Sequence, residues 1–268
     1  MKHIATPPLV ICFFTLVCLG AAGRASAQAN TTPPAIESIA VEPLLTEESL
    51  PEEKGECNVR MTAAYHVEVL EPATALPRTQ LFCGFSQRWG GELDVPFAQG
   101  SGAEGRFGLG DISASIKYKL KDQTARIPAF VLGLETMLPT GSPGKGTGET
   151  GVEIQPFVAL LKQVRSVSVQ GNIGLGMRHS GNELEHRTSY NGAVGLPLRQ
   201  TGFAVLGEVN GSFSPTGSAA LSITPGVHYQ IGKNRYVAFG MPVSLTGARL
   251  VGAILQFQFR VRSQRGLD

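Results

Sequence analysis

After Ala27 the chain has no apolar run approaching the ~18 residues that a membrane-spanning helix needs. The chain beyond Ala27 is therefore either soluble or a β-barrel. An excess of charge of one sign is also missing: 23 basic residues face 21 acidic ones, and a formal net charge of +2 identifies no partner. Mean hydropathy is +0.05, a value that argues against membrane proteins built from helices. It does not argue against barrels, in which lipid-facing and lumen-facing residues alternate and average out. Cysteine is sparse at four residues, two of which precede Ala27. Catalytic signatures are lacking as well. No Gly-x-Ser-x-Gly elbow accompanies His66, His179, His186 and His228, so a lipid hydrolase is unsupported. The glycine-rich stretch around Lys145 lacks the Gly-Lys-Ser/Thr ending of a phosphate loop and precedes no helix. His179, His186, Glu183 and Glu185 share one segment, but their spacing suits a solvated loop better than a metal site. We expect no enzyme activity, no cofactor, no metal and no nucleic-acid partner.

The N-terminal part does carry signals. Lys2 and His3 form a basic head, an apolar run extends from Leu9 to Ala22, and Ala25-Ser26-Ala27 supplies small residues for a peptidase. This predicts a secretory signal over residues 1–27, cleaved after Ala27. Cys18 does not read as a lipidation site, because Val17 stands where a small residue is expected. Residues 28–56 are rich in Pro, Thr and Glu, with seven Glu against Lys54 alone. Such a stretch buries too little apolar surface to offset its ordering entropy and predicts a disordered acidic periplasmic arm. Without these two segments the chain keeps 20 basic and 14 acidic residues, about +6. Export to an oxidising compartment permits a disulfide between Cys57 and Cys83. The expected turns leave the two poorly in register, so the bridge stays open at this point.

From Asn58 onward the dominant pattern is alternation. Ile112, Ala114, Ile116, Tyr118 and Leu120 interleave with Asp111, Ser113, Ser115, Lys117 and Lys119. Val167, Val169, Ile173, Leu175 and Met177 interleave with Ser168, Gln170, Asn172 and Arg178. A period of two puts each apolar set on one face of a strand. Twelve such runs are expected: 58–70, 78–86, 88–98, 108–120, 127–139, 152–163, 166–178, 187–199, 202–213, 218–231, 235–245 and 250–261. Many reach the ~9–11 residues of a tilted membrane strand. Short connections (121–126, 164–165, 200–201, 232–234) alternate with longer ones (99–107, 140–151, 179–186), the former on the periplasmic side. With the first strand running outward, Trp89, Tyr118, Phe130, Phe203, Tyr229, Phe257 and Phe259 lie near one end, and Phe97, Tyr190 and Phe213 near the other. Two aromatic bands mark the two headgroup layers. The expected fold is all-β, a transmembrane up-and-down antiparallel barrel of about twelve strands over residues 57–262. A short tail spans 263–268. A soluble sandwich alternates too, but lacks these strand lengths and paired aromatic ends.

In such a barrel the charged residues of the polar faces point inward, since Arg or Lys at the lipid midplane costs ~2–4 kcal/mol. The candidate pore lining is Arg60, Glu68, Arg88, Glu92, Asp94, Asp111, Lys117, Lys119, Glu135, Glu153, Arg178, Arg199, Glu208, His228 and Arg260. They either select solutes electrostatically or close the lumen as mutually satisfied ion pairs. Twelve strands fall between barrels filled by side chains and those with an open channel, so size does not decide.

Several segments carry a family resemblance. They are Gly108-Leu109-Gly110-Asp111-Ile112 running into Lys117-Tyr118-Lys119-Leu120, then Leu134-Glu135-Thr136-Met137-Leu138-Pro139-Thr140-Gly141. Pro156-Phe157-Val158-Ala159-Leu160 and Gln170-Gly171-Asn172-Ile173-Gly174 come next in the same order. Over residues 60–260 the chain resembles the meta-pathway phenol degradation family of outer-membrane proteins, labelled transporters. The resemblance implies an outer-membrane barrel that takes up small, aromatic or hydrophobic solutes as a narrow channel. The alternatives are a non-conducting structural or adhesive barrel with a plugged lumen, and an outer-membrane lipid hydrolase. Expected partners are outer-membrane lipid, lipopolysaccharide, a small-molecule solute and the barrel-assembly machinery. The last of these is expected to recognise Gly252–Phe259, a glycine followed by alternating hydrophobics ending in an aromatic residue.

Overall fold

The computed structural model describes residues 43–46, 49–68, 74–99, 107–181, 183–198, 201–215, 217–232, 235–246 and 250–262. The expected signal, residues 28–42 of the arm, Arg199 and the C-terminal tail lie outside them, and Glu68 is described in its backbone only.

Alternating β-branched and aromatic residues, with glycine and proline at the turns, fold into strands that each pair with the next. They are β1 (Glu56–Glu68), β2 (Thr74–Gly84), β3 (Trp89–Gln99), β4 (Phe107–Leu109), β5 (Ile112–Lys121), β6 (Ala129–Leu138) and β7 (Val152–Val164). After them come β8 (Val167–Ser180), β9 (Glu183–Pro197), β10 (Phe203–Phe213), β11 (Ala219–Gln230), β12 (Arg235–Gly240), β13 (Val243–Ser244) and β14 (Leu250–Arg262). Every neighbour pair is antiparallel, and β14 returns to β1 from Glu56↔Arg262 to Glu68↔Leu250. That pairing closes the sheet and removes both edges.

Fourteen segments make twelve barrel strands. β4 and β5 both pair with β3 and are one strand interrupted at Gly110-Asp111. β12 and β13 both pair with β11 and β14, interrupted at Met241-Pro242. Proline adjoins each gap: the Gly110 N–H donates to the Pro96 carbonyl (2.8 Å), and the Gly252 N–H to that of Pro242 (2.9 Å). A residue without an N–H cannot continue the ladder on that side.

Two expectations need correction. The loop expected over 179–186 is not a loop: β8 and β9 run on through His179↔Leu184 and Ser180↔Glu183. Polar residues continue these strands because alternation of apolar residues is demanded only where lipid is the solvent. Cys57 and Cys83 are not out of register. β2 begins at Thr74, earlier than expected, and the two cysteines stand directly opposite and are joined as a disulfide, Cα–Cα 4.2 Å. That spacing suits a pair not flanked by ladder hydrogen bonds, where side chains come closest.

The outer wall is apolar. Leu93, Ile116, Leu132, Leu134, Ile154, Ile173, Leu175, Val205, Val227 and Leu255 all face out, exposed by two-fifths or more. A continuous apolar surface of this kind is a lipid face. Bands of rings bound it. At the end where β1 begins, Trp89 meets Tyr118 (centroids 4.7 Å) and Phe203 meets Tyr229 (4.5 Å) across strands. At the other end Phe97 stacks on Phe107 at 5.7 Å.

Candidate solute pathway

Strand parity sends the remaining side chains into the lumen. On β1–β6, Arg78 is ion-paired to Asp94, its Nε donating over 2.7 Å. Lys117 Nζ lies 3.1 Å from Glu92, and Gln80 donates to the other Glu92 oxygen at 2.8 Å. The Arg60 guanidinium lies 4.4 Å above the inward-facing Phe82 ring and donates to Gln258 at 2.7 Å. Glu135 accepts from Gln155 at 3.3 Å. On β7–β9, Glu153 holds Arg178 (2.6 Å) and Arg187 (2.9 Å), and Arg178 also pairs with Glu149. Between these clusters runs an amide ladder at one level of three strands: Asn191 donates to Asn172 (2.8 Å) and Asn210 to Asn191 (3.1 Å). Paired charges and mutually bonded amides satisfy their desolvation locally.

The structure brings Arg60, Glu92, Asp94, Lys117, Glu135, Glu153, Arg178, Glu208 and His228 onto the inner wall. Lys119 sits at the rim, paired with Asp122 at 2.7 Å. Its ammonium, by hydrogen bond and by charge, holds the Asp122 carboxyl below the usual carboxylate range. Arg260 is at the same rim, 3.4 Å from Glu56. Arg88 and Asp111 do not line the lumen. Arg88 belongs to the β2–β3 turn and donates outward to the Leu120 carbonyl at 3.3 Å. Asp111 occupies the β4–β5 interruption and accepts from the backbone N–H groups of Gly141 (2.9 Å) and Glu149 (2.7 Å), pinning the 139–151 connection. Period two fails at turns and interruptions, so parity does not govern either residue.

Inside the lumen lies a stretch of the chain itself, which overturns the expectation of an unstructured arm reaching residue 56. Leu44, Thr46 and Ser49 are buried. The Glu208 carboxylate, midway along β10, accepts the backbone N–H of Leu44, of Leu45 (2.9 Å) and of Thr46 (2.7 Å), and the Thr46 hydroxyl at 3.0 Å. Hydrogen bonds to a charged acceptor contribute ~1.5–3 kcal/mol each, which offsets the ordering of a short segment. The Ser49 N–H donates to Gln170 (3.3 Å), and Asn210 donates to the Thr46 hydroxyl (3.1 Å). Leu44 packs into a notch: a Cβ at Gly240 or Gly226 would come within 2.3 and 2.8 Å of its Cδ1. Ala204, Leu206, Tyr236, Ala238 and Ile254 complete that cluster, while Leu50 packs on Val131, Phe157 and Ala159. Further along, Pro51 lies over Gly90, and the carbonyls of Glu52 and Glu53 lie over Gly84, where any Cβ would collide at 2.2 Å. The segment thus crosses from the β10–β12 wall to the base of β2 and β3.

The family model described as "Putative MetA-pathway of phenol degradation" matches residues 57–253. The chain belongs to this family. By structure it is similar to the COG4313 outer membrane channel from Pseudomonas putida F1, with TM-score 0.62, 12% identity, and 82% of this chain and 100% of that one covered. It is similar also to the NanC porin (TM-score 0.59, 9% identity, 76% and 100% covered). A third likeness is to the KdgM porin, solved in complex with disordered oligogalacturonate (0.55, 11%, 75% and 98%). These likenesses share the fold, a closed twelve-strand barrel of outer-membrane type. No curated protein matches the chain by sequence.

Within this family member, the inward apolar cluster that holds Leu206 and Ile254 was not anticipated, nor was the separate one of Val131 and Phe157. Its signal is present in β6, where Ala129 to Leu134 is apolar without interruption apart from Gly133. A strand apolar on both faces is covered on both faces, here by lipid outside and Leu50 inside.

Proposed function

We propose that this protein is an outer-membrane barrel through which small solutes pass passively. One observation carries the reading: a closed twelve-strand wall, apolar outside, encloses ion pairs and amides that a solid apolar core would not contain. Ligand pathways in barrels run through lumina lined in this way. The family description and the channels and porins of the same fold support it, and favour neither a structural barrel nor a lipid hydrolase. On this reading β1 starts at the periplasmic rim, and so both ends of the barrel domain are periplasmic, with the 139–151 connection outside the cell. Lipopolysaccharide contacts the outer half of the wall, and the barrel-assembly machinery takes up β14. Phe82 and Phe157 face the lumen beside charges and amides, a combination suited to small aromatic solutes bearing polar groups. Proteoliposome swelling in iso-osmotic arabinose and benzoate tests the proposal. Swelling above that of protein-free liposomes is expected, faster in benzoate. No swelling with protein of heat-modifiable mobility contradicts it.

A further inference from the structure

We propose that Pro43–Thr46, with Ser49–Pro51, is a displaceable plug, and that Glu208 beneath it is a solute-binding point. The solute it takes carries N–H donors on an ammonium or primary amide beside a small branched apolar group, and competes with the plug. The inference rests on the barrel being a solute pathway. Its basis is the chemistry of the plug's head. Among the described residues every donor to Glu208 comes from the plug, three of the four being main-chain N–H groups of consecutive residues. Main-chain donors are alike for any sequence, so the carboxylate recognises clustered N–H groups and not particular side chains. An ammonium presents three such donors from one atom. Beside the carboxylate the Gly226–Gly240 notch takes one branched aliphatic group, that of Leu44. The plug therefore displays on its own backbone the two features a competing solute needs.

The two ends of the plug are held differently. At its root the Gly55 N–H donates to the Gly84 carbonyl (2.9 Å), Asn58 donates to Glu52 (2.7 Å), and the Cys57–Cys83 disulfide ties the following strand to β2. Among the described residues the head depends on Glu208, the notch and weaker contacts to Asn210, Gln170, Gly192 and Gln256, the last two at 3.5 Å. Between them the buried Ser49 hydroxyl makes no hydrogen bond to any of the described residues. Loss of the Glu208 contact would release the head while the root stays attached. Among the described residues no cation forms a salt bridge with Glu208, so departure of the plug bares an anion midway along the lumen.

Ser49→Cys gives a probe that breaks no side-chain hydrogen bond. In the full-length protein in proteoliposomes, with the native disulfide intact, reaction of Cys at 49 with a small membrane-impermeant maleimide reports plug displacement. Slow labelling is expected, accelerated at least about tenfold by isobutylammonium chloride. Isobutanol and tetramethylammonium, which lack one feature or the other, should leave it slow. Adding Glu208→Gln should raise the basal rate and abolish the response. If that variant does not fold, Gly240→Ala, which fills the notch from the wall, should raise the basal rate instead. Labelling unmoved by isobutylammonium, or equally slow after Glu208→Gln or Gly240→Ala, overturns the proposal and leaves a fixed strut. The readout is independent of transport: a protein that labels as expected yet passes no solute sinks the channel reading, not the plug.

Discussion

At the scale of single residues, the inner wall is built from pairs in which each charge depends on another. Lys117 and Glu92 are both buried in the lumen, and truncating the cation leaves the carboxylate without it. Removing one partner of a buried pair costs about 3–5 kcal/mol, so Lys117→Met should lower the urea midpoint of unfolding in micelles. An unchanged midpoint would mean that water already reaches the pair. Asp122 gives the opposite expectation. Its lowered pKa means that any stability it adds is present above the usual carboxylate range and is lost as pH falls through the lowered value. Because the pair is on the exposed rim, solvent screens it. Asp122→Asn should unfold at the same midpoint as the native protein at both pH 7 and pH 3. Residues on continuous strands were legible from the sequence, since parity alone places Glu92, Asp94, Lys117, Glu153 and Glu208 inside. Arg88 and Asp111 were not, because each sits where the strand stops and a side chain's direction is set by the turn.

At the scale of elements, the β1–β2 hairpin is tied by a disulfide closing a separation of 26 residues. A loop of that size corresponds to about 3–4 kcal/mol in the chain-entropy account. Cys83→Ser should therefore lower the unfolding midpoint, and the native protein should migrate faster without reductant than with it after denaturation. Equal migration would show free thiols. The twelve strands were readable because lipid imposes alternation along their length. The β8–β9 hairpin extends further than its sequence pattern indicates because alternation fades beyond the lipid. The plug was invisible for a different reason. Pro-Leu-Leu-Thr-Glu-Glu-Ser-Leu-Pro over 43–51 has no helical or strand period, and its main anchor is its own backbone bonding to Glu208. Main-chain hydrogen bonding to a distant side chain leaves no trace in residue type.

At the scale of the whole molecule, closure through β1 and β14 leaves no exposed sheet edge, and the apolar outer wall needs lipid or detergent. The folded protein should resist SDS at room temperature and shift mobility on boiling, and membrane fractionation should recover it with the outer membrane. The lumen, by contrast, is polar, charged and crossed by a segment whose head is held mainly by one carboxylate, Glu208. The most direct test is single-channel recording in planar bilayers, comparing the native chain with one in which residues 43–46 are replaced by Gly-Ser-Gly-Ser. Discrete conductance steps are predicted for both, larger and more cation-selective in the variant because Glu208 is then uncovered. Silence from both proteins, each with heat-modifiable mobility, would contradict the account of this barrel as a solute pathway.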